Sequence, residues 1–357
     1  MTFVLSHDGL SGVARVVAAY ASRWRAKGHD VAVVSFVSAK PTGSTVAGRL
    51  VSWMGGNKRS QLSTAAGVSH FDNIDVTKIS LPAVDAAAAV GVPDADVVIA
   101  TSWEAAEAVA RWPKEKGRAV FFVHNHEYHA ATPIDRVEAA WRLPMPKIVT
   151  TKWLADLARH RFNSRNVTIV PNAVDTDLFH TPPRTKQQIP TVGMLFSNDP
   201  LKGCDISLNA YATASQAVKG LKLIAFGTTA PAKGKSLPAE LEFHQQPSQE
   251  QIRDIYARCD AWMFASRTEG FGLPILEAMA CRTPVLATPA GAAPELLAGG
   301  GGLLVHPEHP KSLADAIVQV ARSTDEQWQT MSTQALNVAT RYTWDDAMKR
   351  FEGAIGV

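Results

Sequence analysis

Apolar positions along this chain alternate between two patterns. Short uninterrupted runs such as Phe3-Val4-Leu5, residues 31–37, Val97-Val98-Ile99-Ala100 and Ala119-Val120-Phe121-Phe122-Val123 read as strands buried on both faces of a sheet. After the first run, Val13, Val16, Val17, Tyr20, Ala21 and Trp24 recur at helical spacing, and Gly28 is a stop signal behind them. Strand, loop, helix and strand in that order open a Rossmann-like domain with a parallel sheet. Further strand runs lie at 147–151 and 167–170. Pro182, Pro183 and Pro190 then mark a linker, and Thr191-Val192-Gly193-Met194-Leu195-Phe196 starts the pattern again. Runs at 221–226, 261–265, 283–288 and 303–305 follow, with helical patterns over 310–323 and 324–340 and a last helix after Trp344. The alternation predicts two α/β domains, residues 1–172 and 173–340, closed by a helix within 341–357. Residues 38–75 are polar and irregular, and read as a long solvated loop carrying Arg49, Trp53, Lys58 and Arg59.

One junction between strand and helix concentrates chemistry. Ser266-Arg267-Thr268-Glu269-Gly270-Phe271-Gly272-Leu273-Pro274-Ile275-Leu276-Glu277-Ala278 follows the apolar run at 261–265. Pro274 suits the first helical position, where its missing N–H would have no partner. Amides around Gly272 and Leu273 at the helix start have no helical acceptor and can hold a diphosphate. A carboxylate in the first turns, Glu277, can accept from a ribose diol, while Glu269 meets whatever the diphosphate carries. A capped helix with two acids favoured by its dipole is the plainer reading of the same residues.

Two glutamates separated by seven residues, around Gly270-Phe271-Gly272-Leu273-Pro274 and followed by Glu277-Ala278-Met279-Ala280-Cys281-Arg282-Thr283-Pro284, resemble the signature of retaining glycosyltransferases of family 4. The resemblance implies a GT-B fold: two Rossmann-like domains facing across a cleft, with the C-terminal helix crossing back onto the N-terminal domain. It implies transfer of a sugar from a nucleoside-diphosphate sugar, without metal or further cofactor, to a saccharide, lipid-linked or small-molecule acceptor. On its terms the N-terminal domain binds the acceptor and the C-terminal domain the nucleotide sugar, with Phe271, Gly270, Gly272, Leu273 and Glu277 at the nucleotide and Glu269 at the sugar. A lysine just before the next helix neutralises the diphosphate; Lys202 matches it. An arginine is expected soon after the strand glycine, and Met194 stands there, leaving Ser197 or Arg267 to help with the charge. Glu242-Phe243-His244-Gln245-Gln246-Pro247-Ser248 resembles the stretch that meets the base, although Ser248 with Gln251 also spells a capping box.

Two further places hold candidate site residues. Gly9 and Gly12 let the first loop lie close to a ligand without forming a G-x-G-x-x-G fingerprint, and the resemblance turns this loop toward the donor phosphates. The strand at 119–123 delivers His124-Asn125-His126-Glu127-Tyr128-His129 at its C-terminal end, where open α/β sheets bind ligands. Imidazoles at alternate positions could hold zinc, but no other His or Cys cluster supplies further ligands. Packed structural histidines are a second reading. The resemblance gives a third, in which His124, followed by Asn125 in place of the usual acid, sits beside the transferred sugar, with His126 as the fallback.

Composition changes little in this picture. At 357 residues the chain is long enough for two such domains, and a net charge of +3 is too small for a nucleic-acid partner. Cys204, Cys259 and Cys281 are scattered and suit a reducing compartment. With no leader pattern and no run of membrane length, a cytoplasmic protein is expected. Arg23, Trp24 and Arg25 beside the 49–59 loop could give it a weak peripheral membrane contact. Rival readings are a nucleotide-sugar-binding protein without transfer, and a nucleotide-sugar epimerase of the same fold.

Overall fold

The computed structural model describes residues 1–7, 9–37, 69–82, 88–127, 132–230, 237–238 and 240–357. Arg49, Trp53, Lys58, Arg59, Tyr128 and His129 lie outside the described residues. Internal packing divides the chain into two compact units, Met1–Phe122 with Glu127–Lys147, and Val123–His126 with Ile148–Val357.

The apolar runs form two sheets. The first contains β1 (Thr2–Leu5), β2 (Ala32–Val37), β3 (Thr77–Pro82), β4 (Val97–Ala100), β5 (Arg118–Val123), β6 (Lys147–Val149) and β7 (Val167–Ile169), in the order β3-β2-β1-β4-β5-β6-β7. β1 is parallel to both neighbours, with Phe3 opposite Val33 on one side and Ile99 on the other. The helix Gly12–Ala26 follows β1. Ser11 caps it by accepting from Ala14 N, and the stripe read from the sequence is its buried face. Tyr20 and Trp24, both 0% exposed, pack with ring centroids 5.5 Å apart, and Phe3 of β1 lies 5.6 Å from Trp24. Each such burial is worth about 1.5–3 kcal/mol, so the helix is held by packing rather than propensity.

The second sheet contains β8 (Thr191–Leu195), β9 (Lys222–Gly227), β10 (Leu241–Gln245), β11 (Ala261–Phe264), β12 (Val285–Ala287) and β13 (Gly302–Leu304), in the order β10-β9-β8-β11-β12-β13. All five pairings are parallel. Alternation along β11 explains why its run is apolar throughout: Ala261 and Met263 enter one core with Met194, Leu286 and Trp328, while Trp262 and Phe264 enter another with Tyr256, Ile275 and Leu276. Helices Pro310–Arg322, Asp325–Ala339 and Trp344–Ile355 follow. Among the described residues no helix is long and apolar enough to cross a membrane.

Candidate functional site

Strand order in the second sheet reverses between β8 and β11, so the loops leaving these neighbouring strands part and leave a crevice at their C-terminal ends. The two loops are tied at the root. Arg267 N donates to Leu201 O at 2.8 Å, and the Arg267 guanidinium reaches Asp205 Oδ2 at 2.8 Å and Glu308 Oε1 at 2.7 Å. These carboxylates raise its already high pKa, so its charge is matched within the protein and Arg267 is not a free counter-charge for a diphosphate. Lys202 Nζ meets Glu269 Oε1 at 2.6 Å, and Ser266 Oγ donates to the same oxygen at 3.1 Å. Residues far apart in sequence are thus joined at the crevice, with Lys202 31% and Glu269 14% exposed. Ser197 lies in the same β8 loop, where its Oγ accepts from Asp199 N.

Met194 corrects an expectation. It is the fourth residue of β8, 1% exposed and in the core, so it does not face the loop where an arginine was expected. The extended pairing continues past it, with Phe196 N donating to Phe226 O at 2.7 Å, and the chain first turns away at Ser197.

The helix Leu273–Ala280 follows the β11 loop, with Gly272 as its N-cap at φ +95° and no side-chain cap on its first amides. A left-handed residue there turns the strand exit into the helix start, which glycine does at least cost. Pro274 is the second helical residue rather than the first, a shift of one that keeps it among positions needing no N–H partner. Phe271 is buried with its ring 6.3 Å from Tyr342, so it fills core while its carbonyl accepts from Ala292 N. Glu277 sits in the second turn, 5% exposed, and its Oε2 accepts from the hydroxyl of the buried Tyr256 at 2.9 Å.

His124 comes to this loop through its backbone. A Cβ on Gly270 would stand 1.5 Å from His124 O, so only glycine permits the approach, and Trp153 Nε1 donates to Gly270 O at 3.2 Å. The His124 side chain is 8% exposed, and burial drives its pKa down to about 3. It is a neutral imidazole near neutral pH. Asn125 Oδ1 accepts from His126 N at 2.8 Å, and the His126 ring lies 6.0 Å from Phe162.

In the first unit, Glu127 has φ +56° and accepts from Trp103 N at 3.2 Å at the start of the helix Trp103–Val109. Burial, then the nearby Glu104, pushes its carboxyl up to about 8. Gly12 is the first residue of its helix. Among the described residues no three His, Cys, Asp or Glu side chains gather as a metal site. At the stretch read for base recognition, the Ser248–Gln251 capping box forms, and Glu242 binds Arg258 through both oxygens at 2.7 Å.

Lys202, Ser266 and Glu269 therefore meet directly, Gly270 meets His124, and Gly272, Leu273 and Glu277 share one helix. Sequence reasoning missed Tyr256, Trp153 and the carboxylates around Arg267. Tyr256 belongs to an amphipathic helix, Gln249–Ala257, whose periodicity marks it only as core.

Residues 10–178 match the model of Glycosyltransferase Family 4, and residues 186–323 that of Glycosyl transferases group 1. A D-inositol 3-phosphate glycosyltransferase of Corynebacterium urealyticum is 39% identical over 102 residues, 28% of this chain and 24% of that protein. One from Stackebrandtia nassauensis is 28% identical over 229 residues, 57% of this chain and 51% of that protein. The chain thus aligns with about half or less of these curated relatives' lengths. The solved structure of Anabaena HepE in complex with UDP and glucose matches with a TM-score of 0.76 over 99% of both chains at 17% identity, which shows a shared GT-B fold.

Proposed function

Because the chain belongs to the glycosyltransferases of family 4 and group 1 and has the GT-B fold, we propose that it moves a sugar from a nucleoside-diphosphate sugar to an acceptor hydroxyl with retained configuration. The observation carrying this reading is the Lys202–Glu269 pair at the strand-order reversal, beside the uncapped start of the helix Leu273–Ala280. As the glycosidic bond breaks, negative charge grows on the departing diphosphate. Lys202 and the amides near Leu273 meet it, which is stabilisation aimed at the transition state and needs no metal. Glu269 keeps Lys202 on Oε1 and takes sugar hydroxyls on Oε2. Glu277, oriented by Tyr256, accepts from the ribose diol. His124, neutral through burial, contributes a hydrogen bond to the sugar rather than a charge.

Glu269 and Glu277 both have binding roles here, which leaves no second carboxylate for a covalent glycosyl-enzyme of the hydrolase kind. The acceptor oxygen attacks on the face the diphosphate leaves. The new C–O bond forms as the old one breaks, and the hydroxyl proton passes to the departing phosphate oxygen. The acceptor is a hydroxyl of a saccharide, a lipid-linked glycan or a polar small molecule; the relatives named for D-inositol 3-phosphate make a phosphorylated polyol the first to try.

The test is a thermal-shift panel of UDP, GDP, dTDP, ADP and CDP on the wild type and Glu277→Ala, followed by diphosphate release from the matching sugar donor. A ligand at a hundred times its Kd stabilises by about 2.7 kcal/mol. The reading expects one base to shift the wild type, a reduced shift in the variant, and acceptor-dependent release. A shift without release would leave a nucleotide-sugar-binding protein, and release of no diphosphate alongside a changed sugar would indicate epimerisation.

A further inference from the structure

A cavity of mixed polar and apolar lining lies in the second unit, built from residues other than those of the crevice. It measures about 230 Å³ and is lined by Pro183, Arg184, Thr185, Arg282, Gln329, Ser332 and Thr333. Two guanidinium groups border it, and no carboxylate is among its lining residues.

The two arginines differ in how they are used. Arg184 is structural: its guanidinium stacks 4.4 Å over Trp328 and donates to Cys259 O and, at 3.1 Å, to Thr283 Oγ1. Its Nε is nevertheless buried with no acceptor among the described residues. Asp260 is the carboxylate that acts on its charge, but the two Asp260 oxygens accept from Gln187 N and Thr191 N. Arg282 is less committed. Among the described residues only its Nε donates, to Thr181 O at 3.2 Å, and its carbonyl accepts from Ser332 Oγ at 2.8 Å. The terminal nitrogens of Arg282 are a planar pair suited to two oxygens of one anion.

We propose that this cavity is a second binding site, for a small dianion of the phosphate or phosphate-monoester class. An anion in the cavity would take the Arg282 terminal nitrogens as donors, while Arg184, whose terminal nitrogens already donate to Thr185 O, Cys259 O and Thr283 Oγ1, adds positive charge beside it with no carboxylate in the lining to offset it. At about 230 Å³ the cavity has room for a phosphate bearing a few carbons. Hydroxyls of Thr185 and Thr333 and the Gln329 amide supply neutral partners for an ester's polar end. The site also adjoins the donor helix, since Arg282 N donates to Met279 O and Thr283 N to Ala278 O at that helix's C-terminal end.

The test is a thermal-shift titration with inorganic phosphate and, separately, glycerol 3-phosphate, against sodium chloride of equal ionic strength. Wild type, Arg282→Gln, Thr333→Glu and Lys202→Ala are compared. Thr333 is exposed, so Thr333→Glu places a carboxylate in the cavity without disturbing a packed position. Saturable stabilisation is expected, about 2 °C at ten times Kd, with Kd raised at least tenfold by Arg282→Gln and by Thr333→Glu. Lys202→Ala should keep the wild-type shift, because the donor crevice is a different site. Tighter binding of glycerol 3-phosphate assigns the cavity to esters, and equal or weaker binding assigns it to free phosphate. No shift with either probe overturns the proposal, as does a shift that survives both cavity variants or disappears in Lys202→Ala.

Discussion

Two strand exits in this protein handle buried polar groups in opposite ways. After β5, His124 and Glu127 are driven toward their neutral forms by burial, one down to about 3 and the other up to about 8. After β11, Glu269 is met by Lys202, and Arg267 by Asp205 and Glu308. Both outcomes follow from one rule: a charge taken from water must be given up or matched. The difference teaches what each exit can do. A neutral imidazole can only donate or accept a hydrogen bond, whereas an ion pair at a crevice mouth can open to an incoming charged ligand.

Breaking the link between these exits should have the largest effect. Gly270→Ala places a methyl against His124 O, and a backbone atom cannot yield as a flexible side chain would. The expected loss is about 3 kcal/mol or more, read as a lower urea midpoint. Next comes the anchoring of Glu277. Tyr256→Phe removes the hydroxyl from a buried carboxylate oxygen, and about 1–3 kcal/mol of stability should go with it, together with weaker nucleotide binding.

Titration separates the two residues of the β5 exit by sign. The folded state holds the His124 proton less tightly than the unfolded chain. Its contribution is therefore complete above pH 6.5 and is lost as pH falls from 6.5 toward 3, by up to about 1.4 kcal/mol per pH unit. Glu127 runs the other way. The folded state keeps a proton that the unfolded chain releases, so stability falls as pH climbs from 4.5 to 8. Unfolding midpoints across pH 4–9 should flatten on the acid side in His124→Asn and on the alkaline side in Glu127→Gln. Unchanged profiles in both variants would remove the contrast. The smallest stability effect belongs to the paired exit. Lys202→Met should cost no more than about 1 kcal/mol because the pair is partly solvated, while sugar transfer should drop about a hundredfold.

Much of the fold was legible because buried parallel strands write themselves as unbroken apolar runs, as at 97–100 and 261–264. The run from Ser266 to Glu277 was legible as strand, glycine loop and helix start, while its residues alone allowed a plain capped helix equally well and only the family resemblance singled it out as a site. Tyr256 was not, since nothing local distinguishes a tyrosine that fills space from one that also aims a carboxylate. Met194 misled because the resemblance put an arginine at a position inside a strand already read as running to Phe196, where an inward-facing side chain packs in the core. The arginine cavity left no trace in the pattern at all; its residues come from three separate segments and meet only through packing.

The strand order of the second sheet also sets a schedule for synthesis. β8 takes the next strand, β9, on one side, but its other partner, β11, begins 66 positions after β8 ends (261 − 195), and Lys202 precedes Glu269 by 67 positions. At about 5–20 residues per second, a ribosome leaves that central edge open for roughly 3–13 s. During this interval an unpaired buried-strand edge is available to other chains. The nascent protein is open to mispairing at β8 until the strand that leads to Glu269 emerges.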